Sequence, residues 1–96
     1  MSLSLHLAHT FLQYNLHSMQ FTHLLVRVQQ SQLVVYSKEK DEEVTRALFT
    51  EFKKNGYLLS VANHRGKLQP TPFVGTLGDL IPVLTSKLAA VLARWP

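Results

Sequence analysis

Cysteine is absent from this chain of 96 residues, which rules out disulfides, thiolate metal sites and cysteine nucleophiles and leaves the redox compartment open. Glycine is scarce, with four in all. A phosphate-cradling loop needs more glycines and a following helix, and neither is present. No window approaches the ~20 consecutive apolar residues of a membrane-spanning helix. The apolar stretch from Met1 to Leu16 also lacks the cationic start and small-residue cleavage site of a secretory signal. These absences point to a soluble, cytoplasmic protein that does not enter a membrane. Repeats, linkers and low-complexity tracts are missing as well, and a chain this short builds one core, so residues 1–96 are read as a single domain.

What is present is apolar. Hydrophobic residues make up 46% and charged residues 17% of the chain, a balance that folds without help from disulfides. The net charge of +4 is spread thinly. Residues 1–38 hold Arg27 and Lys38 with no acid, residues 39–54 hold five acids against four bases, and residues 55–96 add four bases against Asp79. No block is polarised enough to imply nucleic acid by itself.

Periodicity sets out the elements. Over residues 3–17, His6, His9, Thr10, Gln13 and His17 recur on one helical stripe, which predicts a helix with that stripe in water and Leu5, Leu7, Ala8, Phe11, Leu12 and Leu16 turned inward. From Phe21 the period changes to two. With Gln30-Ser31 as a turn, Val28 faces Leu33 and Val26 faces Val35, giving a hairpin with one apolar face. The charged run Lys38 to Glu43 reads as a solvated loop. Residues 41–54 are ambiguous. Val44, Ala47, Leu48 and Phe52 fit a helical stripe, but an Asn55-Gly56 turn would pair Phe52 with Leu59 and Thr50 with Val61 in a second hairpin. Leu48, Phe52, Tyr57, Leu59, Val61 and Leu68 then share a face. Pro70 and Pro72 confine the next strand to a sheet edge. Asp79 is the expected N-cap of a final amphipathic helix, with Pro82 at its third position and a stripe of Leu80, Leu84, Leu88, Val91 and Trp95.

The fold class that follows is α+β: an N-terminal helix, an antiparallel meander of four to five strands and a C-terminal amphipathic helix. The alternative places a helix at 41–54 between two hairpins. The run His64-Arg65-Gly66-Lys67, with Thr71-Pro72-Phe73, Gly75-Thr76-Leu77 and Leu80, resembles small uncharacterised bacterial domains. That resemblance implies a strand over 45–53 and brings no activity with it.

Chemistry is thinly represented. His6 and His9 sit three apart, but no third ligand accompanies them, so no metal and no cofactor are expected. No serine occupies a glycine-flanked elbow, and the neighbours Glu42 and Glu43 point apart, so the chain is not expected to be an enzyme. His64, Arg65 and Lys67 cluster at a predicted hairpin tip, where they could contact an anion. The sheet face opposite the core is the stronger lead. In the predicted register Phe21, Arg27, Tyr36, Phe49, Lys53 and Leu58 lie on it, too apolar a set to stand bare in water. The expected function is a non-catalytic protein-interaction domain that forms a homodimer or binds a protein partner through this face. Two alternatives are a single-stranded nucleic-acid binder using Arg27, Tyr36, Lys38 and Lys53, and a subunit of an enzyme whose site forms at an interface.

Overall fold

The computed structural model describes residues 3–54, 56–63 and 67–88. A helix, α1 (Leu3–Ser18), leads into five strands: β1 (Leu24–Gln29), β2 (Gln32–Glu39), β3 (Glu42–Lys53), β4 (Gly56–Ala62) and β5 (Leu68–Gly75). They form one antiparallel sheet in the order β1-β2-β3-β4-β5. A short helix, α2 (Leu77–Pro82), follows and continues as a π-helical segment over Val83–Lys87. The class is α+β with a meander. Residues 42–53 are strand, so the helical alternative over 41–54 is set aside.

Local chemistry explains each junction. α1 ends on Gln20, whose φ of 77° is left-handed. The Gln20 N–H donates to the His17 carbonyl and the Phe21 N–H to the Leu16 carbonyl, closing a Schellman turn that aims the chain at β1. The first hairpin has the expected register, with Val26 opposite Val35 and Val28 opposite Leu33, and Gln30 supplies the positive φ. The charged run 38–43 is not a loop. Lys38 pairs with Glu43 and Glu39 with Glu42, and Lys40 and Asp41 alone make the turn, with φ of 50° and 68° as a type I′ hairpin requires.

The β3–β4 register differs from the expected one. Lys53 pairs with Gly56, and Thr50 faces Leu58 instead of Val61, with a bulge between Glu51 and Lys53. Gly56 therefore begins a strand instead of closing the turn. A Cβ there would lie 2.6 Å from the Lys53 side chain, so a larger residue would force that side chain to move. The offset in pairing is odd, so β3 turns over relative to β4. Ala47 and Phe49 enter the core beside Leu59, and Leu48 moves to the other face. Leu68, expected with the core, pairs with Ala62 and is exposed.

At the C-terminal end the N-cap is Thr76, not Asp79. The Thr76 hydroxyl accepts the Asp79 N–H and the Asp79 carboxylate accepts the Thr76 N–H, a reciprocal capping box. Pro82 thus falls inside the helix, where it can neither donate a hydrogen bond nor tolerate the carbonyl one turn back. The helix widens immediately after it, and the Leu88 N–H reaches the Val83 carbonyl. Leu80 and Leu84 are buried as the stripe predicts, while Val91 and Trp95 lie outside the described residues.

The core lies between the sheet and the helices. Leu5, Leu12 and Leu16 of α1 and Leu77, Leu80, Ile81 and Leu84 beyond β5 pack on Leu24, Val26, Leu33, Val35, Phe49, Tyr57 and Leu59. Both described helices therefore occupy one face.

Candidate interaction surface

The polar stripe of α1 faces water only in part: His6 and Thr10 are exposed, while His9, Gln13 and His17 turn to the sheet. β1 is an edge strand, and an edge strand exposes backbone groups that invite another strand. α1 lies along that edge. His9 Nε2 donates to the Val26 carbonyl at 2.6 Å, the Gln13 side-chain oxygen accepts the Val26 N–H at 3.1 Å, and His17 Nε2 donates to the Leu24 carbonyl at 2.7 Å. Positions 9, 13 and 17 follow one helical row, so three polar side chains one turn apart act as a substitute strand. The row was visible in the sequence, but its period gives only a common face and not which way that face turns. Gln13→Ala should accelerate hydrogen exchange at the Val26 amide by roughly tenfold, the loss of about one hydrogen bond. An unchanged rate would show that the edge is protected by something else. Among the described residues no group of three ligating side chains could hold a metal.

At the other edge, β5 carries Pro70 and Pro72, which have no N–H to offer a further strand. Both edges are blunted, and the open face of the sheet remains. It carries Leu25 and Arg27 of β1, Val34 and Tyr36 of β2, Leu48 and Thr50 of β3, and Leu58 of β4, as the pairings Leu25–Tyr36, Arg27–Val34, Val34–Leu48 and Thr50–Leu58 require. Val34 is only 4% exposed and stands outside the core cluster. No described helix lies on this side.

Several expected members are elsewhere. Phe49 is fully buried in the core, and Phe21 sits in the turn before β1 and packs against the same core. Phe73 of β5 packs against the core too, with the Lys87 ammonium 5.8 Å from its ring centre. Lys53 lies at the hairpin end beside the bulge, its ammonium 5.6 Å from the Phe52 ring centre, and is not in the middle of the face. Leu48, assigned to the core by the sequence, belongs here instead. Arg27, Tyr36 and Leu58 are brought together as expected. The Arg27 guanidinium lies 5.1 Å from the Tyr36 ring centre and pairs with Glu43. Of the proposed anion contact, His64 and Arg65 lie outside the described residues. Lys67 is exposed, and its backbone N–H donates to the Asn63 side chain.

One charged group is built into the interior. Arg46 is the extra residue of a bulge where Val35 pairs with Ala47 and Tyr36 with Thr45. Its guanidinium is 1% exposed and donates to the Ser37 hydroxyl at 3.0 Å and to the Glu39 carboxylate at 2.8 Å. The arrangement fixes β2 against β3 and leaves no charge on the open face from this residue.

No family model, curated protein or solved structure matches the chain. Among the described residues, no helix is long and apolar enough to cross a membrane.

Proposed function

We propose that the chain is a non-catalytic interaction domain that self-associates through the open face of its sheet. The observation that carries this reading is an apolar set, the half-buried Leu25, Leu48 and Leu58 around the buried Val34, on a side of the sheet that no described helix covers. Such a patch is ordinary for a twofold interface, where one surface is its own complement. The blunted edges favour association by the face over association by strand addition. The rival nucleic-acid reading loses support from the same geometry. Phe49 and Phe73 point into the core, which leaves Tyr36 as the aromatic among the residues placed on the face, and Arg27 is engaged by Glu43. A stacking platform needs several aromatics beside free cations. The resemblance of the segment from His64 to Leu80 to small bacterial domains, and a cytoplasmic location, complete the proposal.

Light scattering tests it. Wild-type protein at roughly 50 µM should scatter with about twice the mass of one chain, and Leu48→Lys should return it to monomer with its circular dichroism unchanged. A monomeric wild type would defeat the proposal, and salt-sensitive binding of a single-stranded oligonucleotide would favour its rival.

A further inference from the structure

On the helical side of the sheet, away from the proposed association face, a groove of about 390 Å³ separates α1 from the start of α2. Leu7 and Phe11 form one wall, Thr76, Leu77 and Gly78 the other, and Tyr57 of β4 lies beneath. The volume falls in the range of small-molecule sites, ~300–1,000 Å³. Among the described residues no charged side chain lines it. Leu7 is 66% and Phe11 48% exposed, so two large apolar side chains stand at the mouth with nothing described against their outer sides.

Tyr57 is the second observation. It is 3% exposed, and its hydroxyl makes no hydrogen bond to any described residue. The hydroxyl oxygen is not among the buried unpaired polar atoms, so it keeps access to solvent and is free to donate to an occupant of the groove. The other hydroxyl in the wall, that of Thr76, is already used to cap α2. Burial, and then the carboxylate of Glu51 opposite in β3, push the Tyr57 phenol above its ordinary value, so at neutral pH it is an uncharged donor. The Glu51 charge also disfavours an anionic occupant.

We propose that this groove binds an uncharged, mainly apolar small molecule, its ring or chain body held by Leu7, Phe11 and Leu77 and one oxygen accepting the Tyr57 hydroxyl proton. Nile red, an uncharged fused aromatic with one ring carbonyl, is a suitable probe. Its emission should shift to the blue on saturable binding at one dye per chain. Gly78→Phe should weaken binding by roughly tenfold or more, since it fills the groove. A side chain is admissible there: the nearest atom to a Cβ would be the Thr76 hydroxyl oxygen at 3.7 Å, and the position is exposed. Leu7→Arg, on the exposed rim, should weaken binding too and gives a reading independent of Gly78. Tyr57→Phe should lower affinity by about fivefold, the share of one hydrogen bond. Absence of saturable binding, or undiminished binding to Gly78→Phe and Leu7→Arg, would overturn the site. Equal affinity in Tyr57→Phe would overturn the stated ligand class.

Discussion

Phe49→Ala should destabilise the folded chain by about 3–5 kcal/mol, the cost of removing a large side chain from a core that cannot close over the gap. Phe49 is fully buried on the central strand, opposite Leu59 and Leu33. Total stabilities of such domains run to ~5–15 kcal/mol, so the variant is expected to be near the limit of folding. Phe49→Leu, which keeps most of the volume, should cost less than about 1.5 kcal/mol and provides a variant measurable by urea unfolding. The experiment discriminates sharply between the two registers. With Phe49 on the open face, as the sequence suggested, truncation would have changed association and left monomer stability nearly intact. A small loss of stability would therefore reinstate that register.

Glu39→Ala should cost about 2–3 kcal/mol. Breaking a fully buried ion pair costs ~3–5 kcal/mol because a desolvated charge loses its partner, and the figure is reduced here because the Glu39 side chain is 30% exposed. The Arg46 guanidinium would retain its hydrogen bond to the Ser37 hydroxyl, a neutral acceptor. The double variant Arg46→Met with Glu39→Gln removes the charge together with its partner, and should be more stable in urea than Glu39→Ala alone. A loss below about 0.5 kcal/mol for Glu39→Ala would place this pair among surface ion pairs, which contribute little.

The parts of the fold legible in the sequence are those set by local chemistry. Alternation from Phe21 gave the first hairpin and its register, because one wrong step there would have turned Val26, Val28, Leu33 and Val35 into water. The prolines at 70 and 72 marked an edge because a missing N–H is a property of the residue itself. What could not be read depended on partners distant in the chain. Two bulges on β3, at Arg46 and after Glu51, each break the period-two pattern, and a chain with a broken period resembles a helix as readily as a strand. The Asn55-Gly56 turn signal then misled, since Gly56 is small to let Lys53 pass and not to adopt a left-handed turn. The orientation of α1 was hidden for a different reason. A polar row on a helix reads as the wet side, although a backbone edge needs polar side chains as much as water does. That inversion leaves Leu7, Phe11 and Tyr14 outward and creates the groove. The open face of the sheet was legible in part: Arg27, Tyr36 and Leu58 are placed by alternation alone, whereas Leu48 and Phe49 exchange places with the register.

Because the chain has no cysteine, a single nitroxide can be attached at any chosen position without side reactions. Thr50→Cys places a label on the open face, and Tyr14→Cys places one on the outer side of α1, where Tyr14 is 72% exposed. Facing sheets pack about 10 Å apart. In a dimer joined by its sheets, the Thr50→Cys labels of two copies should therefore couple at about 20 Å, while the Tyr14→Cys labels, each behind a helix and a sheet, stay beyond about 30 Å. Dipolar spectroscopy of both samples at equal concentration measures this directly. Short distances at position 50 with long ones at position 14 are the result the face-to-face dimer predicts. The reverse order, or no intermolecular coupling at position 50, would contradict it.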